Sequence, residues 1–135
     1  DGDPHDEIVF ELLGRTPNRV HLNYFKNGVD SPIDIDLWFD ASAGDHLYAF
    51  EWRPDSIMWF VDNVKVRHVA DGPATGIPTA TGRVMASLWA ASRSATDWAG
   101  VPNFATAAAT YKCMSHMPLG SGALQCSDTF KPPSR

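Results

Sequence analysis

Two glutamates near the start of the chain have the residue type and the spacing for acid–base chemistry. Glu7 and Glu11 lie four residues apart in the run Asp6–Leu13, which is rich in Ile, Val and Phe. On a β-strand they would share one face with Val9, while Ile8, Phe10 and Leu12 would turn toward a core. Their Cα atoms would be about 13–14 Å apart, and converging side chains could bring the carboxyls to about 5–5.5 Å. At that separation one carboxylate can attack an anomeric carbon while the other protonates the leaving oxygen and then activates water.

The same spacing also fits an interpretation without catalysis. Two exposed glutamates on the solvent face of an edge strand would show an identical pattern, and spacing alone favours this simpler case. The catalytic interpretation requires that the two carboxyls converge over a groove that a polysaccharide can reach.

Composition limits the chain to one packed domain and excludes several classes of partner. The chain has 135 residues, of which 44% are hydrophobic and 20% are charged, and this length suits one hydrophobic core. Eleven basic and sixteen acidic residues give a net charge of −5. Because no Lys/Arg cluster occurs, we expect neither a nucleic acid nor a membrane surface as partner. No apolar run approaches the roughly 18–20 residues of a membrane-spanning helix.

Short runs with period-two alternation recur along the chain and predict strands. The predicted strand regions are Asp6–Leu13, Arg19–Lys26, Ile33–Phe39, 46–53, 57–61, 64–67 and Arg83–Ala90. Asp62-Asn63 is predicted to form a two-residue hairpin turn, since both residue types tolerate positive φ. Turn-rich segments separate the runs, so we predict an all-β fold with an antiparallel sandwich or barrel. We assign residues 1–112 to this domain and residues 113–135 to a C-terminal tail.

Several motifs in order along the chain resemble those of the family-16 glycoside hydrolases. Residues Asp6–Gly14 are similar to the family signature Asp-Glu-Ile-Asp-Phe-Glu-Phe-Leu-Gly. Later segments resemble strands and loops of its licheninases and xyloglucan endotransglucosylases, namely residues 23–29, 39–52, 57–63, 85–89 and 96–98. The resemblance covers residues 5–112 and implies a jelly-roll, concanavalin A-like β-sandwich, which this chain would form completely or in part.

The resemblance also implies roles for individual residues. Glu7 matches the nucleophile and Glu11 the acid/base, and the expected substrate-binding residues are Asn23, Tyr24, Trp89 and Trp98. The implied activity is that of a retaining endo-β-glucanase or transglucosylase acting on β-1,3-1,4-glucan or xyloglucan-type polysaccharide. Such enzymes are secreted, so we expect an extracellular location. We expect no cofactor and no metal, because the five histidines lack metal-binding spacing and nothing in the sequence supports a calcium site.

One departure from the family pattern concerns the residue between the two glutamates. The family has an aspartate where this chain has Val9. An aspartate there would orient the nucleophile and help to separate the pKa values of the two carboxyls, and valine does neither. We therefore expect a chemical step slowed about 10²-fold or more. The alternative is a non-catalytic carbohydrate-binding or cell-wall-associated protein derived from such an enzyme.

A second departure is that the chain begins at the strand of the signature. It opens Asp1-Gly2-Asp3-Pro4, without the basic and apolar regions of a signal peptide. Family members carry further cleft strands upstream of this point. Three explanations remain open: a fragment of a longer enzyme, which would have no activity of its own if the missing part is essential, half of an assembly completed by a second chain or a homo-oligomer, and a reduced fold that closes its core differently.

The only two cysteines lie in the Gly-, Ser- and Pro-rich end of the chain. Cys113 and Cys126 are predicted to form a disulfide that holds the tail, as in a secreted protein, with two free thiols as the alternative.

Overall fold

Two antiparallel sheets pack against each other in the computed structural model, which describes residues 5–70, 76–103 and 105–133. The first sheet contains β1 (Glu7–Leu12), β2 (Arg19–Lys26), β3 (Val29–Asp30) and β4 (Ile33–Asp36). Within it, β2 pairs with each of the other three strands. The second sheet contains β5 (Tyr48–Arg53), β6 (Ser56–Val61) and β7 (Val64–Ala70), in that order. Short helical turns are a 3₁₀ turn (Arg93–Ala95), α1 (Thr96–Ala99) and α2 (Cys126–Thr129). Among the helices of the described residues, none is long and apolar enough to cross a membrane.

The core lies between β2 and β6 because apolar side chains alternate on both strands. Six core side chains are at most 1% exposed: Val20, Leu22 and Tyr24 from β2, and Ile57, Trp59 and Val61 from β6. Ile8 and Phe10 of β1 pack against this cluster. Since neighbouring residues of a strand point to opposite faces, Glu7, Val9 and Glu11 face away from the core. The predicted alternation along β1 is confirmed for Ile8 and Phe10, whereas Leu12, also expected to turn toward the core, is 46% exposed at the end of the strand.

Arg67 of β7 links the two sheets through its guanidinium group. Its two terminal nitrogens donate hydrogen bonds to the carbonyl oxygens of Leu22, at 3.0 Å, and Ser31, at 2.7 Å. The same group lies over the rings of Tyr24 and Trp59, with 5.4 and 4.8 Å to the ring centroids. Charge-assisted hydrogen bonds combined with cation–π contacts restrict how one sheet can shift over the other.

The predicted hairpin at Asp62-Asn63 is confirmed. Both residues have positive φ, 49° and 64°, and they connect β6 to β7. The Asp62 carboxylate accepts hydrogen bonds from the backbone N–H of Leu47, at 2.9 Å, and from Nδ1 of His46, at 2.7 Å. These bonds join the turn to the segment that leads into β5.

One predicted strand is wrong. Residues Arg83–Ala90 form no strand, and no strand in the described part of the chain pairs with them. The exposed large apolar residues of this segment are Val84, Met85, Leu88 and Trp89. Apolar, β-prone composition is insufficient here, since a strand needs a neighbour that accepts and donates its backbone hydrogen bonds.

The predicted disulfide between Cys113 and Cys126 is confirmed, with 5.8 Å between the two Cα atoms. The segment 106–125 around it is exposed, and Lys112 forms an ion pair with Asp45. The division into a domain of residues 1–112 and a tail of residues 113–135 stays a prediction.

Asp6 joins the start of β1 to a segment much later in the chain. Its carboxylate accepts hydrogen bonds from Nζ of Lys26 and from the backbone N–H groups of Asn27, Thr79 and Ala80, at 2.8–3.0 Å. The side chain is only 5% exposed. Burial alone would raise the pKa of Asp6, but these donors outweigh burial and hold that pKa well below its usual range.

Replacing Asp6 by Asn should lower the free energy of unfolding by about 2 kcal/mol at neutral pH, because the buried network loses its negative charge and one of its two accepting oxygens is replaced by an N–H₂ donor. The folded-state pKa is depressed, so this stabilisation is present above about pH 4 and is lost as the pH falls toward the folded-state value. Urea unfolding of the two proteins should therefore show a difference that shrinks below about pH 4.

The matched control is Asp36→Asn, since Asp36 is exposed and binds Arg19 at the surface. Its unfolding midpoint should be nearly unchanged at any of these pH values. Equal midpoints for Asp6→Asn and the unmodified protein at neutral pH would contradict the assignment.

Candidate active site

Most of the polar residues expected at the site lie on the outer face of the first sheet. This outer face consists of the side chains of β1, β2 and β4 that point away from the core. Residues that lie opposite one another on neighbouring strands form rows across this face. The register of β1 and β2 places Glu7 opposite Phe25, Val9 opposite Asn23 and Glu11 opposite His21. On the other side of β2, Asp34 is opposite His21 and Asp36 is opposite Arg19. Residues directly opposite in an antiparallel pair lie on the same face.

Glu7 is the more accessible of the two glutamates, with 45% of its side chain exposed. Its Oε2 lies 3.4 Å from Nε2 of His5, and the His5 ring lies 4.7 Å from that of Phe25. The carboxylate is therefore open to solvent on one side and adjacent to an imidazole on the other.

Glu11 lies in a less exposed position and has a different electrostatic environment. Its side chain is 27% exposed, and its Oε2 lies 3.8 Å from Nε2 of His21. Burial raises the pKa of Glu11, His21 opposes that effect, and the negative charge of Glu7 raises the pKa further. A carboxyl with a raised pKa keeps its proton closer to neutral pH, which suits a general acid. The roles of Glu7 as nucleophile and Glu11 as acid/base stay predictions.

Asn23 lies between the two carboxylate rows, directly across from Val9. It is 5% exposed, and its Oδ1 accepts a hydrogen bond from the backbone N–H of Ser31 at 2.9 Å. Its side-chain carbonyl is thus used to hold the connection between β3 and β4. An aspartate at position 9 would face this amide.

Tyr24 lies elsewhere than the expected substrate site. Its side chain is on the core face of β2, is 1% exposed and packs 6.3 Å from the ring of Trp59. The sheet would separate a sugar bound on the outer face from this ring, so Tyr24 is not part of the proposed site. Phe25, the next residue, is on the outer face opposite Glu7. Its position follows from strand parity, because it lies two residues after Asn23.

The two expected tryptophans lie together near the Glu11 end of the outer face. The rings of Trp89 and Trp98 are stacked, with 5.9 Å between centroids and 20° between planes. Trp98 also contacts His21 edge-on, at 5.6 Å. A cleft of about 300 Å³ lies here, with His21, Asp34 and Trp98 among its lining residues. Exposed aromatic planes beside polar groups are suited to stacking on sugar rings.

A close backbone approach holds Trp98 in this position. The backbone N–H of Arg15, in the turn after β1, donates a hydrogen bond to the carbonyl of Ala99 at 3.1 Å. Gly100 follows with φ of 99°, and a Cβ at that residue would lie 3.1 Å from the Arg15 nitrogen. Glycine is required here both by the backbone angle and by the space.

Replacing Gly100 by Ala should displace α1 and lower the free energy of unfolding by about 1–3 kcal/mol. The stacked pair Trp89–Trp98 should separate, and the near-UV circular dichroism of coupled indoles should weaken. The control is Gly82→Ala, since a Cβ at Gly82 meets no atom within 4 Å. An unchanged spectrum and stability in the Gly100 variant would show that the contact does not position Trp98.

No group of three or more His, Cys, Asp or Glu side chains suited to a metal ion occurs among the residues for which the structure gives positions. The outer face carries the carboxyl groups of Glu7 and Glu11 with an imidazole beside each, and such groups can perform acid–base and nucleophilic chemistry.

Sequence relatives of this chain include β-glucanases of Bacillus species. The "Beta-glucanase" of Bacillus subtilis (strain 168) is 41% identical over 104 residues, which are 76% of this chain and 41% of that protein. The "Beta-glucanase" of Bacillus licheniformis is 41% identical over 107 residues, 78% of this chain and 42% of that protein. The chain therefore spans about two fifths of the length of these curated relatives.

Solved structures with the same arrangement support the fold assignment. A prokaryotic β-1,3-1,4-glucanase (lichenase) from a mouse hindgut metagenome matches with a TM-score of 0.66 and 36% identity, over 76% of this chain and 46% of that one. The Bacillus licheniformis β-glucanase structure matches with a TM-score of 0.59 and 31% identity, over 78% and 48%. The predicted antiparallel jelly-roll sandwich is confirmed. The family model for glycosyl hydrolases family 16 matches residues 1–109, and this chain belongs to that family.

Proposed function

We propose that the outer face is the active site of a retaining endo-β-glucanase or transglucosylase whose substrate is a β-1,3-1,4-glucan or a xyloglucan-type polysaccharide. The observation that carries the proposal is the pair Glu7 and Glu11, which share one face of β1 and interact electrostatically, so that Glu7 raises the pKa of Glu11. The names of the bacterial β-glucanases support the substrate class.

The proposed reaction has two steps. Glu7 attacks the anomeric carbon while Glu11 gives its proton to the leaving glycosidic oxygen, which forms a glycosyl-enzyme and releases one sugar end. Glu11, now a carboxylate, then takes a proton from water or from an acceptor sugar hydroxyl as that oxygen displaces Glu7. Water gives hydrolysis and an acceptor sugar gives transfer.

Aromatic side chains at both ends of the carboxylate pair support a sugar-binding role. Phe25 lies opposite Glu7, and Trp98 contacts His21 beside Glu11, with Trp89 stacked on it. A polysaccharide lying along this face could stack on an aromatic ring at each side of the cleaved bond. In this proposal Asn23 contributes its side-chain N–H groups.

Glu7→Gln and Glu11→Gln should each abolish or strongly reduce the release of reducing ends from barley β-glucan, by about 10³-fold or more, since each removes one of two carboxyls that act as a unit. Proton NMR of the first products of the unmodified protein should show retained β configuration. Retained rates in either variant, or inverted products, would refute the proposal.

Glu51→Gln provides the control, since Glu51 is the chain's third glutamate and lies on β5 beside Arg53. It belongs to the other sheet, so its loss should leave the rate unchanged. Circular dichroism of all three variants separates loss of chemistry from loss of fold.

Val9→Asp should raise the rate of reducing-end release by about 10²-fold, because it adds a proton-handling group between the two glutamates. Val9→Asn is the matched control, with similar size and polarity but no ionisable group, and it should stay near the rate of the unmodified protein. Equal rates for the aspartate and asparagine variants would refute this role for position 9.

A non-catalytic glucan-binding or cell-wall-associated protein is the alternative, and the residue that favours it is Val9. In that case the unmodified protein would be retained on insoluble β-glucan without releasing reducing ends. The stacked pair Trp89–Trp98 would serve binding in both cases.

The location and the partner chain are also proposals. The disulfide between Cys113 and Cys126 supports a secreted, extracellular protein, since such bonds persist in oxidising compartments. The exposed apolar side chains of the segment 84–89 support a second chain, or a second copy, that completes the sandwich.

A further inference from the structure

We propose that Asp34 and His21 form a positioning pair that holds an imidazole nitrogen toward Glu11 and eases the release of its proton. This inference rests on the proposed function, because it concerns the carboxyl assigned there as acid/base. It adds one residue from β2 and one from β4 to the two reacting carboxyls, which both lie on β1.

The three residues form one row across three strands. Register sets Glu11 of β1 opposite His21 of β2, and His21 opposite Asp34 of β4. Nδ1 of His21 lies 2.7 Å from Oδ1 of Asp34. A carboxylate only accepts hydrogen bonds, so Nδ1 carries the proton in this bond and Nε2 is directed away from Asp34.

The other ring nitrogen faces the acid/base. Nε2 of His21 lies 3.8 Å from Oε2 of Glu11, which is within ion-pair range and longer than a direct hydrogen bond. A shift of roughly 0.6–1 Å would bring these two atoms to hydrogen-bond distance, and contacts of this kind are often long without substrate and tighten in the complex.

Two neighbouring residues, Asp34 and Trp98, restrain the orientation of the His21 imidazole ring. Its side chain is 16% exposed, and Trp98 packs edge-on against it at 5.6 Å. Asp34 restrains one nitrogen and Trp98 the ring itself, so the orientation of Nε2 is set by groups other than Glu11. An imidazole placed in advance costs little ordering when the proton leaves Glu11.

The charged groups around this row have both signs. Glu7 on β1 and His21 on β2 act on Glu11 directly. Those that surround the His21 ring or line the adjoining cleft are Asp34, Arg15, Arg19 and Asp97. Burial and Glu7 raise the pKa of Glu11, and His21 is the group that opposes them. While the imidazole is protonated, its charge favours the carboxylate that Glu11 becomes after proton transfer.

The test uses the three glutamates of the chain, which give three side-chain carboxyl signals after ¹³C-glutamate labelling. Glu11→Gln assigns the Glu11 signal by its disappearance. In His21→Gln the titration midpoint of Glu11 should rise by about half a pH unit or more, since an opposing charge is lost. In Asp34→Asn it should move in the same direction by less, because His21 is held less firmly toward Glu11, while Asp34 itself is not among the charges that act on Glu11. The basic limb of the pH profile of kcat/KM should move upward in the same order.

Asp36→Asn is the matched control, because it removes a bond of the same kind in the neighbouring row, Arg19 to Asp36 at 2.8 Å. It should leave the Glu11 midpoint unchanged. The proposal is overturned if His21→Gln and Asp34→Asn both leave the midpoint where it is, or if Asp36→Asn moves it as far. Should His21→Gln fail to fold, the exposed position of Asp34 allows the Asn variant to decide alone.

The two proposals fail in different ways. The NMR midpoint needs no turnover, so its failure to move overturns the positioning pair while hydrolysis of β-glucan continues. Absence of hydrolysis, combined with the expected movement of the midpoint, would overturn the proposed function and support the contact between His21 and Glu11.

Discussion

Burial of one face of β2 against β6 is the constraint on which the rest of the molecule depends. β2 pairs with three other strands of its sheet. The face that β2 turns toward the core therefore decides which face each of those strands turns toward it. Each fully buried Val or Leu side chain contributes about 1.5–3 kcal/mol, and a shift of one residue would turn Leu22 and Tyr24 away from the core and turn His21 and Asn23 into it. The energetic penalty against that shift keeps the polar residues of β2 on the outer face, and it does so without any contribution from a substrate.

The two carboxyls on that face differ in environment despite their identical chemistry. Glu7 is well exposed and has His5 beside it, whereas Glu11 is more enclosed and lies between Glu7 and His21. Such differences separate the proton affinities of paired carboxyls, which two-carboxylate chemistry requires. With Val9 between them, this separation comes from burial and from the neighbouring strands. In the row Glu11, His21 and Asp34, three neighbouring strands each contribute one side chain. This part of the outer face is therefore not built from β1 alone.

Sequence reasoning succeeded where the governing physics is local and failed where it is not. Period-two alternation was enough to place Glu7 and Glu11 on one face, and turn chemistry was enough for Asp62-Asn63, because both depend on a few neighbouring residues. The strand predicted at 83–90 was wrong, because strand formation there depends on a neighbouring strand to pair with. The family motif indicated Asn23 and Tyr24 together, although parity puts them on opposite faces. The contact of His21 with Asp34 and the close approach at Gly100 depend on pairings between distant segments, which one sequence does not reveal.

The alternation along β1 and β2 also separates folding stability from catalytic function, two properties that are usually linked in small enzymes. Positions 9, 21 and 25 point to solvent or to the cleft, and none of them belongs to the buried cluster that joins the sheets. Libraries randomised at these positions would thus vary catalysis and specificity with little penalty in folding yield. A chain organised in this way is a tolerant starting material for directed evolution, since most failed variants would remain folded and could accept a further substitution.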